Sequence, residues 1–513
     1  MKKLTAALAF ACAVTFTAGA GAVDFGANDD TGKYLGASSS AYFGQMAAAG
    51  LKQNVMTLKW DPSAPMAIPD RDFLDAAIPL AQAKGIKVVF ALYGARPTTF
   101  TGDGGTAEAF AAWAAQVART YPSVKNMIIG NEPNQPRFWR PQFDASGNQA
   151  SAAGFGPVLA AAYDALKAVD GSIQVIGIGL SPRGNDRPDA PSNISSSPVR
   201  FLKAFGDWYR GSGRTRPVMD SFSFHPYPNA NSDPLSRGYV WPNAGVPNLD
   251  RIKQALHDAF DGTAHPTTAS GLKFFLDEVG WQVDTSGNAA YAGSENVNVT
   301  TEANQSQIYG ELVRTTACDP TVAAVNIFGF YDESDRGAGF QAGLYRKDGT
   351  ARPSADSVSR AIAAGCSGNR SSWSAARRVV GADAEFGNLS KSRSPKQRAW
   401  AFNATALEDA GYRAGIFKSG TASSQITREL AAVSSPVTKV EGLVKAGHSP
   451  RIQFPSVALP AGKYVYAIKL SAWANDSRTT TLVSKAFQVG AATAATKKPT
   501  KAKAKVKSKK KGK

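Results

Sequence analysis

From about residue 34 the chain repeats one pattern eight times: a short run of β-branched or aromatic residues, then a longer amphipathic segment. Alternation of a two-residue with a 3.6-residue apolar period predicts βα units and a parallel sheet. The strand and helix of each pair fall at 34–38 and 41–52, 54–60 and 71–84, 86–93 and 107–121, and 125–130 and 154–169. The second half continues with 173–177 and 198–209, 219–224 and 249–260, 272–277 and 304–316, and 323–330 and 355–363. The first strand is the poorest of the eight. Eight units in about 330 residues have the size and order of a closed (β/α)8 barrel. An open doubly wound sheet would carry a glycine-rich phosphate loop after its first strand, and Gly36-Ala37-Ser38-Ser39 is not one.

The whole chain, at 513 residues, is too long for one compact core. We assign the barrel to 23–366 and a small polar linker to 367–372. Beyond it, short alternating stretches at 398–403, 464–470 and 480–489 are separated by Pro, Gly and Ser turns. That spacing predicts an immunoglobulin-like β-sandwich over 373–490, and so an α/β barrel followed by a smaller all-β domain. Residues 491–513 form a low-complexity, lysine-rich tail expected to be disordered.

The formal charge of +18 suggests a polyanion partner until it is located. Lys497 to Lys513 contains ten lysines and no acid, and Lys2 and Lys3 sit at the extreme N-terminus. Without these twelve, about +6 remains over nearly five hundred residues, which argues against a specific nucleic-acid site in the folded part. The tail lacks interleaved aromatics and reads as an electrostatic contact for anionic cell-wall polymers. Residues 1–22 have the order of a secretory leader: Lys2 and Lys3, a short apolar run from Leu4 to Phe16, then small residues ending in Ala20-Gly21-Ala22. The run is too short for a transmembrane helix, no longer one follows, and a secreted or wall-associated location is expected.

Removal of the leader takes Cys12, leaving Cys318 and Cys366. Two thiols cannot close a zinc site, and the chain has only four histidines, so no metal or other cofactor is expected. In an oxidising compartment the pair predicts a disulfide across the ends of the last two barrel helices, two buried thiols being the alternative.

Barrels carry their reactive groups at the C-terminal ends of the strands. The fourth strand ends Ile128-Ile129-Gly130-Asn131-Glu132-Pro133, and the seventh ends Phe274-Phe275-Leu276-Asp277-Glu278-Val279-Gly280-Trp281. Two apolar runs that each stop at a glutamate, on opposed strands, place two carboxyls across one barrel mouth. Glycoside cleavage requires that pair, because one carboxyl protonates the leaving oxygen while the other attacks or stabilises the anomeric carbon. A gap of about 5–5.5 Å gives retention and about 6.5–9.5 Å gives inversion. Trp60, Trp139, Trp241 and Trp281 fall on the same side, and Trp60 and Trp281 are the expected sugar platforms.

These motifs resemble clan A of the glycoside hydrolases, particularly its cellulase-type and xylosidase-type members. The resemblance spans about Tyr34 to Gly365. It implies that Glu132 is the acid/base, Glu278 the nucleophile, and Asn131 a ligand of the sugar 2-hydroxyl. His225-Pro226-Tyr227 matches the clan's strand-six His-x-Tyr, so His225 and Tyr227 are expected to orient the nucleophile or touch sugar. The implied activity is retaining hydrolysis of a β-linked glycan. The chain departs from the clan in lacking the strand-two arginine, which leaves Lys59 or Arg96 to supply positive charge, and in ending strand eight with Phe328-Gly329-Phe330-Tyr331-Asp332 instead of tryptophan. A reading of another class is a non-catalytic glycan-binding or wall-attachment protein that keeps the barrel as scaffold.

Overall fold

The structure, a computed structural model, describes residues 23–375, 401–403, 406, 408–431, 439–446, 448, 450–454, 459–472 and 478–490. The expected leader at 1–22 and the lysine-rich tail at 491–513 lie outside these residues. The chain divides into two compact units, Met1–Ala376 and Arg377–Lys513.

In the first unit, β1 (Asp24–Asn28) leads through the single-turn α1 (Thr31–Tyr34) to α2 (Ser39–Ala48). The pairs β2 (Gln53–Trp60) and α3 (Arg71–Ala83), β3 (Lys87–Gly94) and α4 (Ala107–Thr120), and β4 (Asn126–Ile129) and α5 (Ala150–Val169) complete the first half. The second half holds β5 (Gln174–Leu180) and α6 (Pro198–Gly211), β6 (Ser221–Phe224) and α7 (Leu249–Phe260), β7 (Lys273–Val279) and α8 (Glu302–Ala317), and β8 (Val322–Phe328) and α9 (Pro353–Ala364). The strands pair in parallel in chain order, and β1 pairs with β8 to close the barrel.

The first strand corrects the sequence expectation. It lies at Asp24–Asn28, whereas 34–38 is the end of α1 and a 3-10 turn. The strand holds one bulky apolar residue, Phe25, so its pattern is nearly silent. Its small residues have a packing reason: a Cβ on Gly26 would meet Asn326 Oδ1 and Gln53 O, both at 2.4 Å.

The two-residue period of the strands sorts the core. Val55, Val89, Ala91, Ile128, Ile176, Phe275 and Ala324 fill the barrel interior. Their neighbours Met56, Leu58, Phe90, Leu92, Met127 and Ile129 point outward into the layer shared with the helices. Lower in the interior, Gln53 Nε2 donates to Asn326 Oδ1 at 2.9 Å. Asp29 fastens the closing seam, its Oδ2 accepting the backbone N–H groups of Phe330 and Tyr331 at 2.8 and 2.9 Å. Arg352, buried at the start of α9, donates to Asp332 and Glu302 and so ties the loop after β8 to α8.

The second unit has two antiparallel sheets. The larger runs β11 (Lys439–Val444), β10 (Ala410–Lys418), β13 (Gly462–Ala472), β14 (Thr479–Val483), with β15 (Phe487–Val489) also on β13. The smaller pairs β9 (Ala401–Asn403) with β12 (Arg451–Gln453). Alternation along β13 sends Tyr464, Tyr466, Ile468 and Leu470 to the face where Phe402, Ile452 and Phe454 pack, which makes a sandwich core. On the opposite face Val465 and Ala467 pack with Ile426 and Leu430 of α10 (Ser423–Ala431), a helix absent from the sequence expectation. Among the described residues no helix is long and apolar enough to cross a membrane, and no cluster of His, Cys, Asp and Glu could hold a metal.

Cys318 caps α8, Cys366 follows α9, and the two form a disulfide across 48 residues of chain. Replacing both by serine is expected to remove about 3–4 kcal/mol by the loop-entropy account. Urea unfolding should show a lower midpoint for the variant, matched by reduced wild type. An unchanged midpoint would show that the native packing alone sets this end of the barrel.

Candidate active site

Two local irregularities aim the glutamates. Regular alternation would send the consecutive residues Asp277 and Glu278 to opposite faces of the sheet. The β7–β8 register shifts between Leu276 and Val279, and this bulge brings both side chains into the mouth. At the end of β4, Gly130 has φ 101° and Glu132 has φ 42°. A Cβ on Gly130 would meet Phe155 Cζ at 2.6 Å and Ile178 O at 2.7 Å, so glycine is required there. The left-handed conformation of Glu132 costs about 1–3 kcal/mol. Its backbone N–H donating to Gly179 O at 2.7 Å helps to hold it.

The carboxylates converge on one imidazole. His225 Nδ1 lies 3.2 Å from Glu132 Oε1 and 3.5 Å from Glu278 Oε2, and its Nε2 lies 3.1 Å from Asp277 Oδ2. The His225 side chain is fully buried and that of Asp277 is 3% exposed, whereas those of Glu132 and Glu278 keep 17% and 16% exposure. The inner pair is thus closed off, and the outer pair faces the opening. The nearest oxygens of Glu132 and Glu278 are separated by less than the sum of their distances to Nδ1. That sum reaches only the lower edge of the inverting range, and only if the nitrogen lay on the line between them.

Glu278 is held on both oxygens. Tyr227 donates its hydroxyl to Oε2 at 3.0 Å, and Asn28 donates its amide to Oε1 at 3.4 Å while also reaching Asp277 O at 3.3 Å. Ser223 donates to Asp277 Oδ1 at 2.5 Å. Burial pushes Glu278 up to about 7, the charges of Asp277 and Glu132 add to this, and His225 and the Tyr227 hydroxyl pull the other way. Burial disfavours a charge on His225, yet Glu278 and Asp277 outweigh it and raise the imidazole well above its usual range. Tyr227 is raised by burial and then by Glu278, so it remains a neutral donor.

Of the residues expected from sequence, Glu132, Glu278, His225 and Tyr227 come together, with Asn131 half-buried beside Glu132. The two tryptophans do not join them. Trp60 is wholly buried, stacked on Phe100, with its Nε1 donating to Pro65 O. Trp281 is also buried, donating to Asp233 O and packing on Tyr309. Neither ring offers a face to a sugar. Partly exposed aromatics near the carboxylates include Tyr93 and Phe138 on one side, and Phe328 and Phe340, both in contact with Tyr227, on the other. Arg96 is not the supporting cation either, being paired with Asp61 and Asp103 at 2.8 Å each. Lys59 lies over the Tyr93 ring, 6.0 Å from its centre. The cation beside the glutamates is His225.

Sequence reasoning missed Asn28, Ser223 and the side-chain role of Asp277. Asn28 was hidden with its strand. Asp277 carried a signal, since a second acid beside a strand-end glutamate needs a partner if buried.

No family model matches the chain, and no curated protein matches it. Among solved structures, it is similar to a family 39 glycoside hydrolase from Bacteroides cellulosilyticus WH2, with 15% identity, 78% of this chain and 74% of that one covered, and a TM-score of 0.46. It is similar to the GH39 enzyme of Xanthomonas axonopodis pv. citri, with 14% identity, 84% and 91% covered, and a TM-score of 0.44. A monomeric β-xylosidase from Caulobacter crescentus CB15 shares 16% identity over 88% of this chain and 97% of its own, with a TM-score of 0.43.

If Glu278 reacts as a carboxylate, kcat/KM should fall as pH drops below about 7, where the group takes up a proton. Tyr227→Phe removes a donor that favours the ionised form, so this acidic limb should move to higher pH by about one unit. A limb that stays in place, or moves down, would remove Tyr227 from the support of Glu278.

Proposed function

We propose that the chain is a retaining β-glycoside hydrolase acting on a β-linked oligo- or polysaccharide. The observation that carries this reading is the convergence of Glu132 and Glu278 on the same nitrogen of His225, which brings the two carboxyls together at one mouth. A buried cation between two carboxylates also occurs in purely structural ion-pair networks. What favours chemistry is that both glutamates retain exposure at the open end of the barrel, where that fold places reacting groups.

The unequal surroundings support the roles. Glu278 has a donor on each oxygen, Tyr227 on one and Asn28 on the other, which orients its carboxyl and favours the charged form that attacks the anomeric carbon. Glu132, which lacks such a pair of donors, takes the acid/base role. It protonates the leaving oxygen while Glu278 attacks, and the bond from sugar to leaving group breaks as the bond to Glu278 forms. Glu132 then takes a proton from water, whose oxygen displaces Glu278. Asn131, half-buried next to Glu132, is the residue we assign to the sugar 2-hydroxyl. A secreted setting goes with this reading, supported by the leader-like N-terminus and the Cys318–Cys366 bond.

Proton NMR of the first product from an aryl β-glycoside or β-linked oligosaccharide should show the β anomer ahead of mutarotation. Glu132→Ala should lower turnover about 10²–10⁴-fold on substrates with poor leaving groups and much less on activated aryl glycosides. Glu278→Ala should abolish turnover of both. An α anomer as first product, or a Glu278→Ala variant as active as wild type on every β-glycoside cleaved, would overturn the assignment.

A further inference from the structure

A cavity of about 640 Å³ opens on the loops that follow β3, β4 and β5, lined among others by Thr101, Arg140, Gln142, Phe143, Pro188 and Ile194. Its size and mixed lining are those of a ligand site. We propose that it is the leaving-group site of this enzyme, taking the one or two sugar rings beyond the cleaved bond. The inference rests on the catalytic roles proposed for Glu132 and Glu278.

Position argues first. The acid must face the leaving group, so whatever binds that group lies on the acid's side of the mouth and away from the nucleophile. The cavity is bounded by the loop that carries Glu132 and by its two neighbours, whereas Glu278 stands on β7 with Asn28 of β1. A hydrogen bond ties the wall to the segment that carries the acid: Gln142 Nε2 donates at 3.0 Å to the carbonyl of Pro133, the residue after Glu132.

Rigidity argues next. Asn134 is buried and donates to Ser181 O at 3.1 Å and Ser196 O at 2.9 Å, which staples the β4 loop to the β5 loop. The backbone N–H of Arg140 donates to Pro97 O at 2.9 Å, and Thr101 donates its hydroxyl to Arg140 O at 2.6 Å, which fastens the β3 loop. Such a site exists before the ligand arrives and costs little ordering on binding.

Chemistry chooses the occupant. Phe143, Ile194 and Pro188 give apolar surface for the C–H face of a pyranose ring. The Arg140 guanidinium donates through Nε to Pro136 O at 2.7 Å, and among the described residues no carboxylate pairs with it. Its outer nitrogens are therefore available to ring hydroxyls.

The test compares wild type, Arg140→Ala and Ile194→Trp, the last filling the cavity. Substrates are an aryl β-glycoside, whose leaving group is small, and a tetrasaccharide with the same terminal sugar. Each variant should lose about tenfold in kcat/KM on the tetrasaccharide, and stay within about twofold of wild type on the aryl glycoside. Equal losses on both substrates, or none on either, would overturn the proposal. Calorimetric titration with cellotetraose, xylotetraose and mannotetraose separates its failure from that of the catalytic reading. If wild type cleaves no glycoside but binds a tetrasaccharide that Ile194→Trp does not, the catalytic reading falls and the cavity survives as a glycan site. If Ile194→Trp binds as wild type does, or wild type neither cleaves nor binds, the cavity proposal falls.

Discussion

The imidazole of His225 is the point on which the barrel mouth is organised. Three carboxylates from two loops and strands approach it: Glu132 and Glu278 at Nδ1, and Asp277 at Nε2. Their mutual repulsion in a partly buried space would be severe without a cation between them. An imidazole with acceptors on both nitrogens answers this by keeping both protons. The cost of burying that charge is met by Asp277, itself steadied by Ser223. One positive and three negative charges still leave an excess, which adds to burial in pushing Glu278 up to about 7.

The fold serves this cluster through a few departures from regularity. A bulge in β7 turns two adjacent acids to the same side, and glycine at 130 with a left-handed Glu132 swings the other carboxylate inward. Barrel closure through β1 delivers Asn28, and Asp29 next to it bonds the first residues beyond β8, so the seam and the site are set together. Regular strands alone would have put Glu278 on the wrong face.

Much of this was legible in the residues, and the exceptions have physical reasons. Seven strands and their helices announced themselves through periodicity; α7 falls at its expected bounds, and the rest shift mostly by a few residues. The first strand did not, because crowding at the closure selects small residues that carry no apolar rhythm. The two glutamates were visible because each interrupts an apolar strand. Trp60 and Trp281 misled because position along a strand end does not state which way a ring turns, and large rings are often drawn into the core. In the second unit, β10 contains Gly411, Gly415 and Arg413, which blur its alternation, and α10 is short enough to pass for a turn-rich segment.

The central physical claim is that His225 stays an imidazolium between the carboxylates. Nitrogen NMR of ¹⁵N-histidine-labelled protein reads this directly, with His225→Asn identifying the signal among four histidines. Both ring nitrogens of His225 should show protonated shifts at pH 7.5, well past the ordinary titration of histidine near 6.5. A neutral tautomer at that pH, with one nitrogen unprotonated, would contradict the account.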